Sequence, residues 1–328
     1  MCRPDLILRI DAALDARADL LSDARTNVAR LLNGQADGID GLVIERLGKV
    51  LIAQLHEGRL TIAEDVARNL CEHMATRLNA TAVYRKVFPK DRAGTSRDLE
   101  RLHTDPVPWI GEPAPEEFAV IENGLTFLIR AHDGYATGLY MDHRASRALI
   151  RDLAPGHRVL NAFAYTCGFT VAAAVGGAAS TTSVDSSTKH LEWGKRNLIA
   201  NGQPLSDHRF IGSDIFDYYR RAQRQNHRFD LIILDPPTFA RQRRPHRTFS
   251  LAQNLEELVM GAVDLLEPGG HLHLSVNHRG TSTDRLRQVT TSVARARGRR
   301  CRLLPHAPLP PDFRGDADYA KSALFRVD

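Results

Sequence analysis

Three carboxylates, each closing a short apolar run, are the side chains of this chain best placed to do chemistry. Asp185 follows Ser183-Val184, Asp214 follows Gly212-Ser213, and Asp235 follows Leu231-Ile232-Ile233-Leu234. Ahead of them, Val159-Leu160 breaks into the small-residue stretch Asn161-Ala162-Phe163-Ala164-Tyr165-Thr166-Cys167-Gly168, and an apolar run from Phe169 to Val175 follows. A buried parallel strand hands over to a helix in this way, leaving the first-turn N–H groups facing a ligand. Asp185 lies roughly twenty residues beyond that stretch, the spacing at which a carboxylate holds the ribose hydroxyls of an adenosine-type cofactor. At the third acid, Pro236 and Pro237 lock the backbone φ angles, so the Asp235 carboxylate and the adjacent carbonyls are presented stiffly. Phe239, two residues on, offers an aromatic face on which a planar base can stack.

The loop composition selects among cofactors. A dinucleotide enzyme places G-x-G-x-x-G after its first strand, whereas residues 161–168 contain one glycine. A pyrophosphate has little room to approach that backbone, and a cofactor without phosphates fits better. S-adenosylmethionine is therefore expected, and with it methyl transfer. Asp185 is expected to take the ribose, Asp214 the adenine amino group, and the loop backbone with Thr166 the methionine part. Directly after the Asp-Pro-Pro string come Arg241, Arg243, Arg244, His246 and Arg247. A flexible basic loop beside the methyl-transfer point is suited to RNA phosphates. Further cations cluster at Arg285, Arg287, Arg295, Arg297, Arg299, Arg300 and Arg302, and at Arg85, Lys86, Lys90 and Arg92. The histidines show no ligand spacing, so no metal is expected.

These residues need a scaffold. From 158 onward apolar strand-like runs (158–163, 180–185, 208–211, 229–234, 271–276) alternate with helical ones (169–177, 187–200, 214–224, 250–266), which implies a parallel sheet covered on both faces. A basic helix over 282–297 and strand-like ends at 301–304 and 321–327 complete it. Upstream, residues 5–32 read as helix, because Ile7, Ile10, Leu14, Ala18 and Leu21 and then Val28, Leu31 and Leu32 recur at three- and four-residue spacing. A small α+β region follows, with a hairpin around Gly48-Lys49, a helix carrying Ile62, Val66, Leu70 and Met74, and a strand at 82–87. Residues 88–115 read as a loop or linker, and Asn123-Gly124 marks a second hairpin. The expected class is α/β, a class I (Rossmann-like) fold with a mostly parallel seven-stranded sheet. The expected domains are a helical segment at 1–33, a small α+β domain at 34–112 and the Rossmann-like domain with its hairpin at 113–328.

Whole-chain properties bound the rest. The 328 residues are 43% hydrophobic and 25% charged, with a formal net charge of +5 and four scattered cysteines, Cys2, Cys71, Cys167 and Cys301. No disulfide framework or signal peptide is read, no apolar run approaches a membrane span, and a reducing cytoplasm is the expected compartment. A pI near 9.2 is compatible with nucleic acid without demanding it. Nothing in the chain fixes an oligomeric state.

Several strings carry a family resemblance: Thr137-Gly138-Leu139-Tyr140-Met141-Asp142-His143-Arg144, Tyr165-Thr166-Cys167-Gly168, Leu191-Glu192-Trp193 with Asn197 and Asn201-Gly202, Asp235-Pro236-Pro237-Thr238-Phe239, and Ser275-Val276-Asn277-His278-Arg279-Gly280. Together they resemble the bacterial large-subunit rRNA methyltransferases of the RlmI/RlmK type, with the guanine-N7 module of RlmKL as the nearest match. The likeness covers roughly residues 30–328, and the RNA-binding PUA domain that opens RlmI relatives is not recognisable here. The resemblance implies 23S rRNA or a large-subunit precursor as partner. It also implies cofactor contacts at Tyr140, Asp142, Asn161, Phe163, Ala164 and Gly168, and at Ser186, Asn197, Ile215 and Asp235. Arg144, in the segment that borders the methionine end in this family, is a candidate for the cofactor carboxylate, with a structural ion pair as the competing reading.

Within that family, chemistry separates the possible bases. Cytosine C5 becomes nucleophilic only after a thiolate adds to C6, and cytosine-modifying relatives carry that cysteine in a Ser-Cys-Ser string. Here the string is Ser275-Val276-Asn277. Guanine N7 already bears an in-plane lone pair and needs only alignment and a site that accepts a cationic product. Asn277, with Asp235 and the Pro236 carbonyl, can supply that edge. Guanine N7 is the expected target; cytosine C5, or a small molecule or peptide, is the alternative. The family's usual Thr-Gly-Gly or Thr-Gly-Ser is Thr166-Cys167-Gly168 here, which is comfortable only if Cys167 has negative φ.

Overall fold

In the computed structural model the alternation of the second half becomes a seven-stranded sheet. The structure describes residues 3–90, 97–243, 246–316 and 319–328; for 97–99, 241–243 and 246–247 it describes the backbone alone. The chain divides into two compact units, residues 1–144 with 310–316, and residues 145–309 with 317–328.

The first unit begins with α1 (Pro4–Asp15), where Pro4 sits at the first position and Leu6, Ile10, Ala13 and Leu14 form the buried stripe. It continues through α2 (Ala18–Ser22), β1 (Val28–Asn33), β2 (Leu42–Leu47), β3 (Val50–His56), α3 (Glu64–Arg77), β4 (Ala82–Phe88), α4 (Arg97–Thr104), β5 (Ile110–Gly111), β6 (Phe118–Glu122) and β7 (Leu125–Ile129). Strands β1 to β5 make a sheet in sequence order, with only β3 and β4 parallel. Strands β6 and β7 form the expected hairpin about Asn123-Gly124, both at positive φ.

Two expectations fail in this unit. Residues 28–33 are a strand, not helix, and Val28 through Leu32 are all buried. A strand buried on both faces carries an unbroken apolar run, and periodicity alone cannot tell it from a helix. Its one charge, Arg30, is neutralised by Glu45 at 2.7 Å. Residues 88–115 are also more than a linker, since they hold α4 and β5, and β5 pairs with β4.

The segment 310–316 closes the first unit through buried ion pairs. Arg17 meets the fully buried Asp37 at 2.7 Å and donates to the Asp312 carbonyl at 3.0 Å. The Asp312 carboxylate accepts from the Arg30 amide and from Arg144, each at 2.9 Å. Burial pushes the Asp37 carboxyl up, but Arg17, the Asn33 amide and Arg314 outweigh it and hold it below the usual carboxylate range.

The second unit begins within α5 (Arg144–Leu153). It contains β8 (Arg158–Ala162), α6 (Gly168–Val175), β9 (Ser180–Asp185), α7 (Thr188–Ala200), β10 (His208–Gly212), α8 (Ile215–Arg224), β11 (Phe229–Leu234), β12 (Phe239–Arg243), β13 (His246–Ser250), α9 (Leu251–Leu265), β14 (Leu266–Val276), α10 (Thr283–Ala296), β15 (Cys301–Leu304) and β16 (Lys321–Val327). The strand order is β10-β9-β8-β11-β14-β16-β15. The first five run parallel, β16 is antiparallel to β14, and β15 is antiparallel to β16. Their near-continuous apolar sequences follow from burial on both faces. Leu160, Ile232, Leu272 and Phe325 pack with α8, α9 and α10 in one core, and Val159, Leu231, Ile233 and Phe169 form another.

The basic stretch after Asp235-Pro236-Pro237 is a hairpin, β12 paired with β13 in register from Phe239↔Ser250 to Arg243↔His246, rather than a flexible loop. Arg244 lies outside the described residues, as do the side chains of Arg241, Arg243 and Arg247. Among the described residues no helix is long and apolar enough to cross a membrane, and no group of three or more His, Cys, Asp or Glu could hold a metal ion.

Candidate active site at the carboxyl ends of the parallel strands

In a doubly wound sheet, ligands bind beyond the carboxyl ends of the strands, where the strand order reverses. Here the order reverses between β8 and β11, which pair directly from Leu231↔Val159 to Leu234↔Ala162. The loop after β8, the acids after β9 and β10, and the Asp-Pro-Pro string after β11 all leave this edge.

The loop after β8 is held in an unusual conformation. Phe163, Tyr165 and Cys167 have φ of 57°, 50° and 63°. Left-handed backbone at a non-glycine residue costs about 1–2 kcal/mol, so each needs support. The negative φ that would make Cys167 comfortable is therefore not adopted. Support comes from β9 and α7. The Ala164 amide donates to the Val184 carbonyl at 3.0 Å, the Tyr165 amide to Asp185 Oδ2 at 2.9 Å, and Asn197 Nδ2 to the Thr166 carbonyl at 2.9 Å. Cys167 is fully buried against Gly194, where a Cβ would stand 2.3 Å from its Sγ. A glycine inside a helix weakens it by about 1 kcal/mol, and here the missing side chain makes room for the thiol. Burial pushes that thiol up to about 12.

Beneath the loop, Asn161 Nδ2 donates to Thr170 Oγ1 at 2.9 Å, and Thr170 Oγ1 lies 2.7 Å from Ser183 Oγ. The Asn161 Oδ1 atom is buried and has no hydrogen-bond partner in the structure. A buried acceptor in that state costs about 1–3 kcal/mol. A ligand bearing an ammonium or amide donor would satisfy it.

The acids after β9 and β10 have different environments. Asp185 is half-buried; Oδ2 takes the Tyr165 amide and Oδ1 takes the Ser187 amide at 2.8 Å. Each oxygen retains a second lone pair for a hydroxyl donor. Asp214 is the N-cap of α8, its Oδ1 accepting from the Phe216 and Asp217 amides at 2.9 and 3.3 Å. Ile215 is buried and Ser186 exposed.

On the other side of the reversal, Asp235 is half-buried, Pro236 buried, and Pro237, Thr238, Phe239 and Asn277 exposed. Phe239 keeps 52% of its surface in solvent, enough for a flat ring to stack on it. Two hydrogen bonds tie this string to the end of β14. Ser275 Oγ donates to Asp235 Oδ1 at 2.7 Å, and Thr238 Oγ1 donates to the Asn277 carbonyl at 3.0 Å.

The other expected site residues have these surroundings. Tyr140, Asp142 and Arg144 belong to the first unit, where Tyr140 is exposed and Asp142 buried. The Arg144 guanidinium is occupied by Asp312 at 2.9 Å and the Val28 carbonyl at 3.0 Å. The structural ion pair, the competing reading of Arg144, is thus present. Asn197 is fully buried and its Nδ2 holds the Thr166 carbonyl of the loop. Lys86, read as part of a basic patch, is 1% exposed; burial pushes it down to about 8, and its Nζ donates to the Gly134 carbonyl. The residues to which sequence reasoning gave no role are the supports: Ser275 and Thr238, present only within the quoted strings, and Thr170, Ser183 and Gly194. Only Gly194 left a signal, a glycine inside a helical pattern.

Comparison with known proteins agrees with this geometry. Residues 56–326 match the family model described as S-adenosylmethionine-dependent methyltransferase. A ribosomal RNA large subunit methyltransferase of Deinococcus radiodurans is 32% identical over 327 residues, 98% of this chain and 78% of the relative. The ribosomal RNA large subunit methyltransferase K of Neisseria meningitidis serogroup B is 39% identical over 173 residues, 53% of this chain and 49% of the relative. A methyltransferase crystallised with SAH superposes with a TM-score of 0.85 at 25% identity, over 98% of this chain and 80% of that one. The half-open Asp185 carboxylate and the unpartnered Asn161 oxygen suit an adenosyl amino acid. The chain belongs to the family of S-adenosylmethionine-dependent methyltransferases.

Proposed function

We propose that this enzyme methylates N7 of a guanine in large-subunit ribosomal RNA, 23S rRNA or its precursor, in the cytoplasm. The relatives named above as large-subunit rRNA methyltransferases support the RNA class. The choice of base rests on one observation. Val276, at the position where cytosine-modifying relatives have their cysteine, is fully buried at the end of β14, and among the described residues no thiol lies at the ends of β11 or β14. Cys167 is on the other side of the strand-order reversal, buried and protonated at neutral pH. Without a thiolate to add to C6, cytosine C5 has no route to nucleophilicity.

In this reading the cofactor, when bound, supplies an electrophilic methyl group on a sulfonium. Asp185 holds its ribose, Asp214 and Ile215 border its adenine, and the 161–168 loop carries its methionine part. The base stacks on Phe239 beside Pro236 and Pro237. Its N7 lone pair forms the new C–N bond as the C–S bond breaks. The positive charge passes to the imidazole ring of the base and no proton has to leave. The Asp235 carboxylate stands where that charge develops and stabilises it, while the Asn277 edge orients the base. The basic stretch that follows Phe239 in the sequence, with Arg241, Arg243, Arg244 and Arg247, supplies positive charge for phosphates of the RNA.

The test is incubation with labelled S-adenosylmethionine and deproteinised large-subunit rRNA, followed by nucleoside mass spectrometry. Label in 7-methylguanosine is expected. Label in 5-methylcytidine overturns the choice of base, and absence of label from RNA overturns the substrate class.

A further inference from the structure

The register of β11 and β14 brings Leu234 opposite Leu274, so Asp235, just past the end of β11, comes beside Ser275, still within β14. Ser275 is fully buried. Its hydroxyl has one proton and a choice of two acceptors, the Leu234 carbonyl at 3.4 Å and Asp235 Oδ1 at 2.7 Å. The shorter contact is the stronger by a wide margin, and its acceptor is charged. The Ser275 backbone is held in β14 by its pairing with Ser322 of β16, and its buried hydroxyl has no solvent to turn to. It therefore fixes the side-chain torsion of Asp235. Pro236 fixes the backbone that follows, its ring holding φ. The second tie, from Thr238 to the Asn277 carbonyl, joins the same two strand ends beyond the carboxylate.

We propose that Ser275 is a positioning residue for methyl transfer: it holds the Asp235 carboxylate in the one orientation that faces the reacting base. The inference rests on placing the acceptor base at Asp235, and not on which base it is. A preorganised carboxylate needs no reorientation as charge develops on the base. A carboxylate free to rotate presents that orientation only part of the time, so the loss falls on the chemical step.

The experiment is a double-substitution cycle on the full-length enzyme, with Ser275→Ala, Asp235→Asn and the pair, assayed for methyl incorporation into large-subunit rRNA. Ser275→Ala is expected to lower kcat by about 10-fold to 50-fold, below the effect of removing a group that touches the transition state. KM for S-adenosylmethionine and the melting temperature stay close to the parent values. In the Asp235→Asn background, Ser275→Ala adds little further loss, because the carboxylate it orients is gone. Ser275→Thr, which keeps the hydroxyl, recovers most of the rate. The proposal is overturned if the two substitutions multiply independently, or if Ser275→Ala lowers kcat, cofactor affinity and melting temperature together. A methylated nucleoside other than 7-methylguanosine, with the non-additive cycle intact, supports the positioning role and counts only against the base assignment.

Discussion

The two halves of the strand-end edge are built on opposite plans. On the β8–β9 side the surface is mostly backbone: three left-handed residues, the Tyr165 amide held by Asp185, the Thr166 carbonyl held by Asn197, and a buried layer of Asn161, Thr170, Ser183 and Cys167. On the β11–β14 side it is side chain, with a carboxylate, prolines and an exposed ring steadied by two hydroxyls. A backbone-built surface suits the parts of a ligand that do not react. A side-chain-built one can place charge against the atom that does change. The first half should govern binding and the second half the rate, and substitutions can test that division.

The largest effect is expected at Asp235. Its replacement by alanine should lower kcat by about 10²–10³-fold, the usual consequence of removing a preorganised electrostatic partner of the transition state. Titration calorimetry should find S-adenosylmethionine binding nearly unchanged. Loss of cofactor binding in this variant would break the division.

Next comes Asp185. Alanine there removes the acceptor for a ribose hydroxyl and also releases the Tyr165 and Ser187 amides. One charged hydrogen bond is worth about 1.5–3 kcal/mol, so the dissociation constant for the cofactor should rise about 10-fold to 100-fold. At saturating cofactor, kcat should recover most of its parent value. A rate that stays low at saturation would assign Asp185 to the chemical step.

These two halves were also unequally legible in the sequence. Strand ends are easy to read where an apolar run stops at an acid, and Asp185, Asp214 and Asp235 were placed on the correct edge by that pattern alone. Asp-Pro-Pro announces its own geometry, because proline has one φ. The left-handed loop announces nothing, since Phe163, Tyr165 and Cys167 are not residues that favour positive φ and are forced there by contacts with β9 and α7. The same kind of tertiary influence hid β1, whose Val28, Leu31 and Leu32 fit helical spacing until β2 pairs with it. It also hid the fate of Arg144, whose partner Asp312 is 168 residues away. The basic cluster after Phe239 reads as a flexible loop, yet β12 and β13 pair there.

A smaller effect should follow Gly194→Ala. The added methyl would fall 2.3 Å from Cys167 Sγ and 2.7 Å from its Cβ, so α7 or the loop must shift. Overpacking of this kind destabilises by about 1–3 kcal/mol, visible as a lower melting temperature and weaker cofactor binding. Cys167→Ala in the same chain should return part of both, because it removes the atom in the way. Additive losses would mean that the helix and the loop do not meet through this pair.

Cys167 alone should matter least, and that small effect separates two chemistries. If a thiol added to a pyrimidine, its loss would remove the covalent route and activity with it. If Cys167 only fills space, Cys167→Ala should leave kcat within about a factor of three, with a loss of stability of about 1 kcal/mol for the small void. Labelling reads the same question without mutation. Burial raises the thiol to about 12 from an ordinary value near 9.0, and only the thiolate reacts with an alkylating agent. The folded enzyme should therefore resist iodoacetamide at Cys167 at pH 8 and become reactive there only when unfolded, whereas a nucleophilic cysteine would be modified first. Rapid labelling of Cys167 in the folded enzyme, together with inactivation, would move the methyl-transfer chemistry to the β8 side of the sheet and undo the contrast between the two halves.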